Sequence, residues 1–338
     1  MAAIFGCAGA VLEAAERDFF AATRPWGFIL FKRNCETPGQ VRALTAALRQ
    51  AVGRPEAPVL IDQEGGRVQR LVPPHWRRRP AAAVFGQLAE TDAVAAREAC
   101  RLNARLIAAE LRDLSIDIDC LPCLDLRTPE SHDAIGDRSF GYDAGLVAEL
   151  GRAAADGLLA GGVLPVIKHM PGHGRARVDS HETLPVIEAD EATLSETDFA
   201  PFRALADLPL AMTGHLLLAA VDAGAPATAS ATVIDRIIRE RIGFDGLLLT
   251  DDISMQALRG NVGERSAAAL VAGCDMVLHC NGDMGEMRAV ADRVGPLDGD
   301  SAARASRALA WRRTPEDFDA EVAERRLEGL LRPVTETL

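Results

Sequence analysis

Eight short hydrophobic runs, separated by segments with helical periodicity, are the feature that most constrains the fold of this 338-residue chain. Most of them are nearly continuously apolar, which is typical of parallel strands buried on both faces, and only the fourth partly alternates. No linker rich in glycine, proline or serine and no internal repeat interrupts the alternation of strand and helix. The runs are Ile4–Gly6, Gly27–Phe31, Val59–Asp62, Ile116–Leu121, Val163–Lys168, Leu208–Thr213, Gly246–Thr250 and Asp275–His279.

A residue type that caps helices precedes four of the helical segments. Pro38 adds a first-turn signal to the first of them, and Gly243 ends the last. The capping residues and the predicted helices are Thr37 before Val41–Val52, Asp92 before Ala93–Leu114, Ser195 before Glu196–Leu205, and Ser230 before Ala231–Ile242.

Eight strand–helix units in about 300 residues predict an α/β fold, a (β/α)8 barrel of the TIM type, as a single domain over residues 1–338. The main alternative is an open, doubly wound sheet. No glycine-rich dinucleotide fingerprint follows the first strands and there is no Walker loop, so the barrel is favoured.

Charge and composition restrict the partners and the compartment. The net charge of −12 argues against a nucleic acid or an anionic membrane as the main partner. No apolar stretch approaches the roughly 20 residues that span a bilayer, and the first residues lack a secretion signal. The seven cysteines are odd in number and lie mostly in apolar runs, as in a reduced protein. We therefore expect a cytoplasmic monomer.

The pair Cys120 and Cys123 has CxxC spacing but ends a strand, whereas a redox CxxC opens a helix. No second CxxC supplies the further ligands of a zinc site. We interpret both thiols as core residues.

Polar residues collect after several of the predicted strands. Because the carboxyl ends of barrel strands form the active site, these segments predict one site at one end of the barrel. They are Asp62–Arg70, a long loop that contains Asp133, Asp137 and Arg138, Lys168–Glu182, Thr213–His215 and Thr250–Asp252.

The loop after the fifth strand carries the strongest chemical signal. Gly172 and Gly174 allow it to turn tightly beside a ligand, and Asp179 can orient His181 as a general acid or base. Its three histidines could also bind a metal, but no HExxH motif or Cys/His cluster supports this, so we expect neither metal nor cofactor. Lys168 is one of only two lysines, against many arginines, which indicates a use for the ammonium itself.

The segment Lys168-His-Met-Pro-Gly-His-Gly174 resembles the signature of glycoside hydrolase family 3, with Met170 in place of the usual phenylalanine. Gly246–Met255 is similar to the nucleophile strand of that family, and Val59–Arg70 and Asp137–Phe140 are similar to its sugar-binding segments. The resemblance runs from about Phe28 to Cys280, and Asp179-Ser-His181 narrows it to the single-domain bacterial β-N-acetylhexosaminidases of peptidoglycan recycling.

The resemblance implies a retaining exo-β-N-acetylglucosaminidase that removes terminal N-acetylglucosamine from muropeptides containing anhydro-N-acetylmuramic acid. Asp251 would be the nucleophile and His181 the acid/base, with Asp179 as its partner. Strand alternation allows only one of Asp251 and Asp252 into the site, and the family pattern selects Asp251. The implied sugar-binding residues are Lys168 and His169 as donors, Asp62 as an acceptor, and Arg70 and Arg138 closing the pocket.

Two other functions stay open on the sequence. Lys168 on its apolar strand could form the Schiff base of an aldolase. The barrel could also bind sugar without catalysis, although Asp251, Asp179 and His181 together speak against that. If His181 is not the acid/base, His173 and Glu182 are the next candidates.

Overall fold

The computed structural model describes residues 1–180 and 182–335, and eight strands within them form a closed parallel barrel. The strands are β1 (Ala3–Gly6), β2 (Gly27–Leu30), β3 (Val59–Ile61), β4 (Ile118–Asp119), β5 (Leu164–Met170), β6 (Leu210–Thr213), β7 (Leu247–Asp252) and β8 (Met276–His279). Each strand pairs with its neighbours in the chain, and β1 also pairs with β8. This closure confirms the predicted (β/α)8 barrel and excludes the open sheet.

Helices connect the strands around the barrel and continue beyond the last one. The α-helices are α1 (Ala14–Thr23), α2 (Pro38–Val52), α3 (Ala82–Ala89), α4 (Ala93–Asp113), α5 (Ala144–Ala160), α6 (Glu191–Glu196), α7 (Ala200–Ala204), α8 (Val262–Ala272), α9 (Met284–Ala291), α10 (Gly299–Leu309) and α11 (Ala320–Thr335). A π-helix covers Val233–Arg241, and 3-10 turns cover Lys32–Asn34, Gly136–Arg138 and Ala227–Ala229.

Three of the predicted helix starts are confirmed by their hydrogen bonds. The Thr37 hydroxyl accepts from the Gln40 amide at 3.2 Å, and the Asp92 carboxylate accepts from the Ala95 amide at 2.9 Å. The Ser230 hydroxyl accepts from the Val233 amide at 3.1 Å. Each of these side chains satisfies a first-turn N–H that has no partner within the helix.

The predicted helix Glu196–Leu205 with Ser195 as its cap is wrong. The chain forms α6 and α7 instead, with a turn at residues 197–199 between them. Asp190 caps α6, because its carboxylate accepts from the Thr193 amide at 2.8 Å. Pro201 has no N–H to donate to the Thr197 carbonyl, which disfavours a single continuous helix there.

The fourth strand, β4, is shorter than the predicted run Ile116–Leu121, but the residues after it continue alongside β5. Cys123 forms an isolated parallel bridge with Lys168, and the Leu124 amide donates to the Lys168 carbonyl at 2.7 Å. This extension brings the residues after β4 beside the carboxyl end of β5.

A hairpin lies at the carboxyl end of β3, where Gln63–Gly65 pairs with Val68–Gln69. Gly65 has φ +94, and a Cβ atom there would lie 2.2 Å from the Pro80 carbonyl oxygen. Only glycine fits this close approach, which folds the hairpin back toward the barrel. Arg70 is held at its end, because its amide donates to the Gln63 side chain at 2.9 Å.

All seven cysteines lie in the described residues, where they are buried and free of disulfide bonds. Their burial agrees with the expected role of Cys120 and Cys123 as core residues. In residues 1–180 and 182–335, no helix combines the length and the apolar character needed to cross a membrane.

Candidate active site

A pocket of about 310 Å³ opens at the carboxyl ends of the barrel strands. Its position is the one at which barrel enzymes place their active sites. Of the eight candidate residues from the sequence, seven lie in the described residues and all seven line this pocket. They are Asp62, Arg70, Arg138, Lys168, His169, Asp179 and Asp251. The eighth, His181, lies outside the described residues.

Lys168 joins two carboxylates beneath the pocket. Its Nζ lies 2.9 Å from Asp62 Oδ1 and 2.6 Å from Glu64 Oε1. Arg70 Nη2 donates to Asp62 Oδ2 at 3.0 Å. Arg138 binds Glu64 with two parallel hydrogen bonds, from Nε at 2.9 Å and from Nη2 at 2.8 Å. Three cations and two carboxylates therefore form one connected network with a net charge of +1.

The network fixes the charge of its members. Burial alone would raise the pKa of both carboxyls, but Lys168 and the arginines outweigh it, lowering the pKa of Glu64 to about 2 and that of Asp62 below its ordinary value. Burial alone would lower the pKa of Lys168, and Asp62 and Glu64 raise it instead. A Schiff base requires a neutral amine, so this environment opposes the aldolase alternative.

Asp125 binds His169 from outside the pocket lining. Its Oδ2 lies 2.6 Å from His169 Nδ1, and its Oδ1 accepts from the His173 amide at 2.7 Å. Burial would raise the pKa of Asp125, but the neighbouring His169 and His173 lower it, so the carboxylate is ionised. Asp125 and Glu64 are not among the site residues predicted from the sequence. Both follow predicted strands, so the rule that identified the other candidates could have found them.

Asp251 and Asp252 both border the pocket, contrary to the alternation expected of a regular strand. The pairing of β7 with β8 shifts register between Leu249 and Asp252, which breaks that alternation. The partners of the two carboxylates distinguish them. Asp252 accepts from the Ser254 amide at 3.1 Å, the Ser254 hydroxyl at 2.8 Å and the Cys280 amide at 3.2 Å.

Asp251 Oδ1 accepts a hydrogen bond from the Asp252 amide at 2.8 Å. Burial alone would raise the pKa of Asp251, but His169 and His215 contribute to lowering it below its ordinary value. Asp251 is therefore an ionised carboxylate that faces the pocket, whereas the oxygens of Asp252 are occupied by structural contacts.

His173 also lines the pocket and is buried. Within residues 1–180 and 182–335, neither of its ring nitrogens has a hydrogen-bond partner. Burial lowers the pKa of His173 to about 4, so its imidazole is neutral at physiological pH.

The loop that carries Asp179 is tied to its neighbours on both sides. The Ser131 hydroxyl donates to the Gly174 carbonyl at 2.5 Å, and the His132 amide donates to the Ala176 carbonyl at 2.7 Å. Arg175 Nε donates to Asp198 at 2.7 Å. These contacts hold the first half of the loop, and Asp179 and Ser180 then reach the pocket lining.

Cys123, Asp125 and His169 have the donor types of a metal site and lie close together. Two tetrahedral zinc ligands at about 2.0–2.1 Å from the ion would be about 3.3 Å apart. The Nδ1–Oδ2 separation of 2.6 Å is instead that of a hydrogen bond. The geometry thus fits a hydrogen-bonded group better than a metal centre.

Comparison with known proteins identifies the family to which this arrangement corresponds. Residues 12–307 match the model of the glycosyl hydrolase family 3 N-terminal domain. A β-hexosaminidase from Methylobacillus flagellatus is 40% identical over 259 residues, which cover 75% of this chain and 73% of that protein. A β-hexosaminidase from Bordetella parapertussis is 38% identical over 278 residues, which cover 81% and 78%.

Solved structures agree with this match. NagZ from Neisseria gonorrhoeae, in complex with N-trifluoroacetyl-D-glucosamine, is 32% identical with a TM-score of 0.87, and the alignment covers 98% of both chains. A family 3 β-N-acetylglucosaminidase from Paenibacillus is 29% identical with a TM-score of 0.87, covering 97% of this chain and 66% of that one.

Proposed function

The chain belongs to glycosyl hydrolase family 3, and from that premise we propose that it is a retaining exo-β-N-acetylglucosaminidase. One observation carries the proposal: the ionised carboxylate of Asp251 lines the same small pocket as the charged network around Lys168. A pocket of about 310 Å³ lies at the lower end of the range for ligand sites and suits a single sugar ring. This size favours cleavage at a chain end over internal cleavage.

In the first proposed step, Asp251 attacks the anomeric carbon of the terminal sugar, and the bond to the leaving oxygen breaks. The acid/base group donates a proton to that oxygen, so the aglycone departs as an alcohol. Water then attacks the anomeric carbon of the glycosyl-enzyme, gives its proton back to the same group, and releases Asp251 as a carboxylate. The ionised state of Asp251 supports its role as the nucleophile.

His181 is the proposed acid/base, with Asp179 as its partner. His181 lies outside the described residues, so the support comes from Asp179, which lines the pocket only two residues earlier. His173 is a less suitable candidate. Its pKa of about 4 would make it a weak base in the second step at neutral pH.

The terminal sugar is proposed to bind between the charged groups of the network. Lys168, Arg70 and Arg138 supply donors, and Asp62 supplies an acceptor. A neutral polyol needs both kinds of partner, since each hydroxyl both donates and accepts. We propose terminal, non-reducing N-acetylglucosamine of muropeptides that contain anhydro-N-acetylmuramic acid as the substrate. The seven buried free cysteines support the cytoplasm as the place of action.

Covalent trapping tests the proposal directly. Incubation with a slow 5-fluoro N-acetylglucosaminyl substrate should add the mass of one sugar, and peptide mapping should place it on Asp251. The same protein should hydrolyse an aryl N-acetyl-β-glucosaminide and should release only monosaccharide from the non-reducing end of a chitin oligomer.

The alternatives give other outcomes. A sugar-binding barrel without catalysis would bind the aryl substrate and leave it intact. An aldolase would be trapped on Lys168 by borohydride in the presence of its substrate. A label on Asp252 would show that the wrong neighbour was chosen as nucleophile.

A further inference from the structure

The two ring nitrogens of His169 face chemically opposite partners. Nδ1 lies 2.6 Å from Asp125 Oδ2, and Nε2 lies 3.4 Å from Arg138 Nη2. An ionised carboxylate can only accept hydrogen bonds, and a guanidinium can only donate them. The contacts are satisfied together only when Nδ1 carries the proton and Nε2 presents its lone pair. A proton on Nε2 would point at another donor.

Asp125 is fixed firmly enough to impose this state. Its carboxylate is fully buried and accepts from the His173 amide at 2.7 Å, the His169 amide at 3.3 Å and the Cys123 thiol at 3.2 Å, in addition to His169 Nδ1. These donors come from the extension of β4 and the end of β5, which are themselves paired through Cys123 and Lys168. The carboxylate therefore cannot turn away from the imidazole without losing several hydrogen bonds.

We propose that Asp125 is a positioning residue that holds His169 in the Nδ1–H tautomer, so that His169 Nε2 accepts a hydrogen bond from one hydroxyl of the bound sugar. The identity of that ligand rests on the proposed function. The role differs from the donor role that the sequence suggests for His169, and it makes the pocket selective for a group that donates.

The remaining groups of the pocket explain why a second acceptor is needed beside Asp62, whose two oxygens already accept from Lys168 and Arg70. Lys168, Arg70 and Arg138 have only hydrogens to offer, and they already use some of them on Asp62 and Glu64. A sugar hydroxyl that meets only these cations would keep its own hydrogen unpaired, and a buried unpaired donor is costly. At 3.4 Å, the contact from Arg138 Nη2 to His169 Nε2 is longer than an ordinary hydrogen bond, and Nη2 already donates to Glu64 at 2.8 Å. The lone pair of His169 Nε2 is therefore available to accept from the sugar hydroxyl.

The tautomer can be measured without any substrate. In protein labelled with ¹⁵N-histidine, long-range ¹H–¹⁵N correlation spectra distinguish Nδ1–H from Nε2–H, and loss of a signal in His169→Gln assigns the residue. We expect the Nδ1–H pattern in the wild-type protein. An Nε2–H pattern for His169 overturns the proposal, whatever the enzyme hydrolyses.

Asp125→Asn should invert the tautomer. The backbone amides of His169 and His173 need an acceptor, so the Asn oxygen takes the place of Asp125 Oδ1. The Asn side-chain nitrogen then lies at His169 Nδ1. Nδ1 must then accept, and the proton moves to Nε2. Asp119→Asn is the matched control, because Asp119 is equally buried on β4 but accepts from the Gln63 amide. It should leave the His169 spectrum unchanged.

Kinetics with modified substrates separate positioning from a general structural effect. Aryl N-acetylglucosaminides are prepared with each ring hydroxyl replaced by hydrogen or by fluorine, which cannot donate. In the wild-type enzyme, both replacements at the hydroxyl facing His169 should lower kcat/KM by about 10- to 100-fold, the range expected for one buried unpaired hydrogen bond.

In Asp125→Asn, the unmodified substrate should lose a similar factor, whereas the fluoro substrate should now exceed the deoxy substrate at that position, because fluorine can accept weakly from Nε2–H. Equal losses on every substrate would mean that Asp125 has only a structural role. Absence of hydrolysis by the wild type would refute the proposed function and leave the spectroscopic test of the tautomer valid.

Discussion

Replacing Glu64 by Gln should destabilise the protein strongly even though it preserves the shape of the side chain. Glu64 is 7% exposed and bonds Lys168 once and Arg138 twice. The amide keeps one acceptor and places its own donor against one of these cations. The buried network then carries a net charge of +2. The N–H of the new amide points at a cation that can itself only donate.

Two independent routes give the same magnitude for this loss. Removing one partner of a buried ion pair costs about 3–5 kcal/mol, and the retained oxygen places Gln near the lower limit. A pKa lowered from 4.5 to about 2 corresponds to about 3 kcal/mol of stability at neutral pH. With an unfolding entropy of about 2.1 cal/mol/K per residue over this chain, about 3 kcal/mol lowers the Tm by about 4 °C.

The pH dependence provides the assay. The folded-state pKa of Glu64 lies below its ordinary value, so its stabilisation is complete above pH 4.5 and is lost as the pH falls toward 2. Urea unfolding of the wild type and of Glu64→Gln should therefore differ by about 3 kcal/mol at pH 7, and the difference should shrink steadily below pH 4.5. A difference that stays constant from pH 7 to pH 3.5 would refute the electrostatic reasoning.

Glu110→Gln is a control with the opposite sign. Burial raises the pKa of Glu110 even though Arg79 lies beside it. Ionisation of Glu110 on raising the pH therefore costs stability. The stability of the wild type relative to Glu110→Gln should fall as the pH rises through 4.5 and above, whereas relative to Glu64→Gln it should rise.

Three further predictions concern the reaction. Asp251→Ala should abolish turnover with little change in Tm, whereas Asp252→Ala should lower the Tm, because it removes three hydrogen bonds that tie Ser254 and Cys280 to β7; equal Tm values would contradict the division of roles. Lys168→Arg should have a kcat/KM as low as that of Lys168→Ala, since a planar guanidinium cannot replace an ammonium that contacts two carboxylates. Near-normal kinetics of the Arg variant would exclude a specific role for the ammonium. His181→Ala should slow the hydrolysis of natural glycosides by about 10²–10⁴-fold and slow that of activated aryl glycosides much less, and added azide should accelerate the variant. Equal slowing of both substrates without acceleration by azide would exclude His181 as the acid/base.

The sequence was sufficient for the fold and for most of the pocket, because both follow from where strands end. Alternation of strand and helix predicted the barrel, and the polar residue after each buried strand then had to face its open end. Lys168 and Asp62 are far apart in the chain, but Lys168 lies near the carboxyl end of β5 and Asp62 directly follows β3, so the barrel brings them together. Strand order predicted that these strand ends meet at one site, and the family resemblance selected the two residues.

Details that depend on local backbone irregularity could not be predicted in this way. The register shift in β7 places both Asp251 and Asp252 at the pocket, which alternation along an ideal strand forbids. The turn at residues 197–199 precedes Pro201, whose missing N–H disfavours a continuous helix, a signal that helical periodicity alone does not register. Rules based on an average geometry fail at the residues where the backbone departs from it.

The side chains that contact the candidate site residues could not be predicted from the sequence either. Glu64 and Asp125 sit among residues that were recognised as polar strand ends, but their importance comes from which side chain they contact. Asp62 and Glu64 favour the charged form of Lys168, and Asp125 sets which nitrogen of His169 is protonated. A motif gives the chemical type of a side chain, whereas its charge and hydrogen-bonding state depend on neighbours from other strands. The positions of the site residues could thus be predicted from the sequence, and their protonation states required the assembled barrel.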